Sequence, residues 1–162
     1  MAMRLAVTVG DPAGNRASVH SRGDPFEMSA SMINTLRGIS VLLVEDDEDS
    51  QDTMRLMLEM EGASVACAKS AAEGLRAFFA RRPDVLVCDL GLPGADGYAF
   101  IRQIRELPME LGGATGAVAV TAYAAEMPTK VLHAGFQAHL PKPVEPAQLV
   151  QAVAALAFKE RQ

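Results

Sequence analysis

Cysteine is scarce in this chain, with two in 162 residues, and Cys67 and Cys88 lack the Cys-x-x-Cys spacing of a zinc or redox site. Both fall inside predicted strands, where a free thiol serves as a small hydrophobe, and a reducing cytoplasm is the plain inference. Basic residues are outnumbered, 15 Lys and Arg against 20 Asp and Glu, for a net charge of −5. That balance argues against nucleic acid as the main partner, because phosphate recognition needs clustered cations. No apolar run approaches the length of a membrane span. The opening Met1–Val9 has too little apolar sequence before Gly10-Asp11-Pro12 to be a signal-peptide core, so secretion is not expected. The Gly-Asp-Pro-Ala-Gly run at 10–14 lacks the Gly-Lys-Ser/Thr ending of a phosphate-binding loop.

The chain has the size of one domain, and its 49% hydrophobic content is enough for a proper core. Residues 1–37 stand apart: turn-formers are dense and no periodicity persists, which reads as a flexible tail. From Gly38 the pattern becomes regular. Strands are expected near 39–45, 64–68, 84–89, 117–121 and 137–140. Between the first two, Met54, Met57, Leu58 and Glu61 recur at helical spacing before Gly62, a stop signal. Ser70 with Glu73 forms a capping-box pattern ahead of a second helix whose buried face would be Leu75, Phe78 and Phe79, with Pro83 ending it. Phe100, Ile101, Ile104 and Leu107 mark a third helix. A short fourth spans about 125–134, and Pro146 opens the last. This alternation is (βα)5: a doubly wound parallel sheet of flavodoxin-like type, strand order 2-1-3-4-5, with right-handed crossovers. The domain would run from 38 to 158, and 159–162 would be a polar tail with no output domain after it.

Four residues follow the apolar runs: Asp46, Asp89, Thr121 and Lys142. In an open parallel sheet, sites gather outside the carboxyl ends of the strands, where the strand order reverses. Two carboxylates, a hydroxyl and an ammonium should therefore meet in one pocket, a set suited to a divalent metal and a phosphoryl group. Acids at the helix start, such as Glu48 and Asp49, are explained by the helix dipole. Glu45 and Asp46 begin earlier, at the strand end, and are better explained by a bound cation, since Mg²⁺ takes one or two carboxylates plus water and phosphate oxygens. Asp89 at a strand mouth can act as a nucleophile toward phosphorus. The Thr121 hydroxyl can donate to a phosphoryl oxygen, and the Lys142 ammonium can neutralise its charge.

These segments, Val41-Leu-Leu-Val-Glu-Asp-Asp47, Asp84–Tyr98, Val120-Thr-Ala-Tyr-Ala124 and Ala138-His-Leu-Pro-Lys-Pro143, resemble receiver domains of the two-component response-regulator family over residues 38–157. The resemblance implies a signalling domain rather than an enzyme. Asp89 would be the phosphoacceptor, taking its phosphoryl group from a histidine kinase or a histidine phosphotransfer protein. Asp46 and Asp89 would hold Mg²⁺ directly, Glu45 mainly through water, and the Gly91 backbone carbonyl would complete the shell. Thr121 and Lys142 would contact the phosphoryl group, and Lys142-Pro143 is a candidate cis peptide. The switch position coupled to Thr121, often Tyr or Phe in the family, is His139 here, whose charge adds a route to pH dependence. Gly91 and Tyr123 would flank the approach of hydrolytic water. Output would be a protein contact through the fourth helix, fifth strand and last helix, and a phosphorylation-linked homodimer is a further partner to consider. The wording is also similar to receivers appended to hybrid sensor kinases, so the protein would be a stand-alone receiver or a relic of such a hybrid.

Three alternatives fit less well. An aspartate-nucleophile phosphohydrolase of the haloacid dehalogenase type needs a second aspartate where Gly91 stands. A flavodoxin-like cofactor binder needs a Gly/Ser/Thr-rich phosphate loop where Glu45–Asp49 stands. A pseudo-receiver that signals without phosphorylation would not need Asp46, Asp89, Thr121 and Lys142 together.

Overall fold

The computed structural model describes residues 34–94, 97–122 and 128–160. Five strands, β1 (Ser40–Val44), β2 (Ser64–Ala68), β3 (Val85–Asp89), β4 (Gly116–Thr121) and β5 (Ala138–Pro141), form one parallel sheet in the order β2-β1-β3-β4-β5. Five helices alternate with them: α1 (Glu48–Met60), α2 (Ala71–Arg81), α3 (Gly97–Arg105), α4 (Pro128–Ala134) and α5 (Pro146–Glu160). A 3₁₀ turn, Met109–Leu111, lies between α3 and β4. The expected fourth-helix start at 125–127 and Tyr123 lie outside the described residues, as do most of the expected amino-terminal tail and residues 161–162.

Side chains on successive strand residues point to opposite faces, and each face carries its own core. Leu42, Val44, Leu86, Cys88, Ala117 and Ala119 pack against Phe78, Phe100, Ile101, Ile104, Val131 and Phe136 of the α2–α3–α4 side. Val41, Leu43, Val85, Val87, Val118 and Val120 pack against Met54, Leu58, Leu149 and Val153 of α1 and α5. Burial on both faces is why β3 and β4 read as continuous apolar runs rather than alternating ones.

Local sequence sets the element ends. Gly62, at φ +92°, closes α1 in the left-handed region that glycine adopts without a side-chain clash. The Ser70 hydroxyl accepts from the Glu73 amide at 3.2 Å, but the Glu73 carboxylate accepts from the Lys69 amide at 2.9 Å, one residue earlier than a standard capping box.

Three expectations need correction. Phe79 is 48% exposed: Gly74 and Phe78, four residues apart, set the buried stripe of α2, and one further residue turns the Phe79 ring off it. Cys67 is exposed because β2 is an edge strand, whereas Cys88 in central β3 is buried, and burial pushes its thiol pKa well up. The ordered fold also begins before 38. Leu36 is fully buried among Ile39, Leu58 and Ala157, and its amide donates to the Glu61 carbonyl at 2.8 Å.

Candidate functional site

The carboxyl ends of β1, β3, β4 and β5 converge at one edge of the sheet. Glu45, just past β1, is fully buried. Its amide donates to the Ala68 carbonyl at 3.0 Å. The buried Gln51 amide, one turn into α1, donates to the carbonyls of Glu45 at 2.9 Å and Ala68 at 3.1 Å, stitching the ends of β1 and β2 to the helix. Gln51 was missed in the sequence, although its place three before Met54 and seven before Leu58 puts it on the buried face of α1. Asp47 caps α1, accepting from the Ser50 amide at 3.1 Å and hydroxyl at 2.7 Å, and these bonds hold its carboxyl below the usual range. Its backbone amide in turn donates to Glu45 Oε1 at 3.1 Å.

Asp89 is the last residue of β3 and is 7% exposed. Its Oδ1 accepts from the Gly91 amide at 3.0 Å. A Cβ on Gly97 would fall 2.6 Å from the Asp89 carbonyl oxygen, so only glycine lets the start of α3 close over this strand end. Glu45, Asp46 and Asp89 each bring a carboxylate oxygen within 4.8 Å of the others, with Asp46 the exposed member. Lys142 reaches in from beyond β5, placing Nζ 2.7 Å from Glu45 Oε2 and 3.5 Å from Asp89 Oδ2. Its amide donates to the Thr121 carbonyl at 2.8 Å, anchoring it to β4, and the Lys142–Pro143 bond is cis.

Electrostatics follow from burial. Desolvation raises the Glu45 pKa, and the charge of Asp89 adds to it, against the lowering by Lys142. Burial works against the Lys142 ammonium, but the hydrogen bond to Glu45 and the charge of Asp89 outweigh it and hold its pKa above the usual lysine value. Three carboxylates against one ammonium leave two uncompensated negative charges when all are ionised. An oxygen-only, doubly negative cluster at a solvent-facing edge fits a hard divalent cation such as Mg²⁺.

Thr121 ends β4 and is 1% exposed. His139 pairs with Ala119, two residues before Thr121, on the same face of the sheet, and its Nε2 is buried with no hydrogen-bond partner among the described residues. Gly91 is exposed, and a Cβ there would sit 3.6 Å from Asp89 Oδ1, an ordinary contact. Asp49 is not part of the carboxylate cluster. It borders a separate groove of about 630 Å³ between α1 and the β5–α5 loop, with Ser50, Thr53, Met57, Lys142 and Pro143. Among the described residues no helix is long and apolar enough to cross a membrane.

Comparison with known proteins agrees with this geometry. The family model described as response regulator receiver domain matches residues 41–154. A 14.6 kDa protein of Leptolyngbya boryana is 41% identical over 122 residues, 75% of this chain and 92% of that protein. The sensor histidine kinase AtsR of Burkholderia thailandensis is 34% identical over 115 residues, 70% of this chain but 19% of the kinase. The chain spans about a third or less of the longer transcriptional regulators AfsQ1 and CseB of Streptomyces. Among solved structures, the receiver domain of sensor histidine kinase PA1611 from Pseudomonas aeruginosa, described with a magnesium ion in its active site cleft, superposes with a TM-score of 0.68 at 30% identity, covering 75% of this chain and 98% of that one. The strand order, the acidic cluster beside Lys142 and these likenesses agree: the chain belongs to the response regulator receiver domain family of two-component signalling.

Proposed function

We propose that this receiver accepts a phosphoryl group from the phosphohistidine of a histidine kinase or histidine phosphotransfer protein onto a carboxylate oxygen of Asp89. The observation that carries the reading is Asp89 itself, nearly buried at a strand mouth with Lys142 Nζ at 3.5 Å and two further carboxylates within 4.8 Å. An Asp89 oxygen attacks phosphorus, the O–P bond forms, and the P–N bond breaks with its electron pair leaving on the partner's imidazole. Lys142 neutralises charge on the transferred group, and Thr121 donates its hydroxyl to a phosphoryl oxygen. Asp46, Asp89 and the Gly91 carbonyl would hold Mg²⁺, and Glu45 would act through water. When bound, the ion offsets the negative charge of the pocket and of the phosphoryl oxygens. The magnesium described in the PA1611 receiver supports that assignment.

A groove lined by Ser50, Thr53 and Lys142 borders the site. Signalling then proceeds by protein contact through α4, β5 and α5, either to a downstream protein or to a second copy. His139 is the switch side chain: it shares a sheet face with Thr121 and its buried Nε2 lacks a partner among the described residues, so a shift of Thr121 toward the phosphoryl group changes its surroundings. The cytoplasm is the compartment in which the partner kinases act. Gly91 has no side chain to serve as an acid–base group, which disfavours a phosphohydrolase.

The test is phosphotransfer profiling: each histidine kinase and phosphotransfer protein of the source organism, radiolabelled on histidine, is incubated with the full chain and Mg²⁺. Rapid transfer of label from one donor to the chain is expected. Release of free phosphate from every donor, with no labelled chain at any time, contradicts the proposal.

A further inference from the structure

The acidic corner after β1 turns on one exposed side chain. Asp46 is the exposed member of the carboxylate cluster, while Glu45 before it is fully buried. A carboxylate facing solvent takes its aim from the backbone that carries it. Each peptide unit is planar, so a bond to its carbonyl or to its amide fixes the whole plane. The two planes that flank the Asp46 Cα are both held. On one side, the Glu45 carbonyl accepts from Gln51 Nε2 at 2.9 Å. On the other, the Asp47 amide donates to Glu45 Oε1 at 3.1 Å.

Gln51 grips this turn twice. Its backbone amide donates to the Asp47 carbonyl at 2.9 Å, while its side chain bonds the Glu45 carbonyl, so the two bonds fall on either side of Asp46 in the chain. A third bond, 3.1 Å from Nε2 to the Ala68 carbonyl, ties that grip to β2. The side chain is 8% exposed, so water does not readily take its place. Without the side chain, the Ala68 carbonyl keeps the Glu45 amide at 3.0 Å as a donor. The Glu45 carbonyl instead loses the donor that fixes the plane leading into Asp46. A carbonyl left without a donor turns toward water, and the Asp46 Cα turns with it.

We propose that Gln51 is a positioning residue of the metal site: by fixing the peptide plane ahead of Asp46 it presets that carboxylate beside Asp89 and favours Mg²⁺ over Ca²⁺. The selectivity follows from the ions. Mg²⁺ demands short bonds in near-ideal octahedral geometry, whereas Ca²⁺ accepts longer bonds in flexible arrangements. Loosening Asp46 therefore costs the smaller ion more. This inference rests on the metal-binding role proposed above for Asp46 and Asp89.

The experiment is calorimetric titration of the full chain with Mg²⁺ and, separately, with Ca²⁺, in the absence of any phosphoryl donor. Gln51→Met, which keeps the side-chain length but removes the donor, should weaken Mg²⁺ binding about tenfold, the lower end of the cost of losing an outer-shell partner. The ratio of Mg²⁺ to Ca²⁺ affinity should fall about threefold or more, because the flexible Ca²⁺ shell absorbs the change. Gln51→Asn, one methylene too short to span both carbonyls, should shift the ratio the same way and serves if the Met variant does not fold. Leu58→Val is the control: fully buried, two turns further along α1, it should lower the melting temperature and leave the ratio unchanged. Wild-type ratios in the Gln51 variants, or an equal fall in Leu58→Val, would overturn the proposal. Asp46→Ala, titrated in parallel, separates the two layers. If it weakens Mg²⁺ binding while the Gln51 variants bind as wild type, the positioning role alone fails; if it too binds as wild type, the metal reading fails with it.

Discussion

Lys142 Nζ lies 2.7 Å from Glu45 Oε2, and the two residues are 97 apart in sequence. Glu45 is fully buried while the Lys142 side chain keeps 21% exposure, so the ammonium is the compensation that lets a carboxylate sit inside the fold. Removing one partner of such a pair leaves the other charge stranded. Lys142→Met should therefore cost about 2 kcal/mol in denaturant unfolding, less than for a fully buried pair because Lys142 is part-exposed. Adding Glu45→Gln should restore most of the loss. A double variant no more stable than Lys142→Met alone would mean that Lys142 acts through packing rather than charge.

The acids at the start of α1 divide into two kinds. Asp46 joins the carboxylate cluster, whereas Asp49 borders the neighbouring groove. Loss of an outer-shell partner typically costs about 10–100-fold in metal affinity, and loss of a direct ligand at least as much. Asp46→Ala should thus weaken Mg²⁺ binding by about tenfold or more, and Asp49→Ala only slightly, in a fluorescence or calorimetric titration. Equal losses would mean that the acids form a diffuse surface patch.

Gly91 places no side chain over Asp89, although its geometry leaves room for one. Hydrolysis of an aspartyl phosphate needs a water held in line with phosphorus, and such positioning supplies much of the rate. The phosphoryl group should be long-lived in this protein, and Gly91→Asn combined with Tyr123→Glu should shorten its life by supplying groups that orient water. The check is loss of label after the donor is removed. If wild type already decays quickly and the double variant is no faster, open access of water outweighs positioning.

Leu36 shows where the sequence was hard to read. It precedes the regular alternation that starts at Gly38, so it reads as part of the tail, yet its side chain is fully buried and its amide bonds the end of α1. Leu36→Ala should lower stability by about 2–5 kcal/mol, while the exposed Arg37→Ala should leave it nearly unchanged. Matching effects would mean that this stretch does not join the core.

The strands were legible because burial on both faces demands uninterrupted apolar runs, and the site was legible because Asp89 and Thr121 terminate such runs. What stayed hidden depends on tertiary neighbours. Gln51 resembles any polar helix residue until its amide is seen bridging two strand ends. Phe79 resembles Phe78 until the buried stripe of α2, set by Gly74 and Phe78, chooses between them. The exposure of Cys67 follows from β2 lying at the edge, a matter of strand order rather than composition.

The central claim is that Asp89 carries the phosphoryl group, and intact-mass spectrometry tests it most directly. Wild type incubated with acetyl phosphate and Mg²⁺ should gain the mass of one phosphoryl group, lose that gain when Mg²⁺ is chelated beforehand, and show no gain in Asp89→Asn. Undiminished modification of the Asp89→Asn chain would contradict the account.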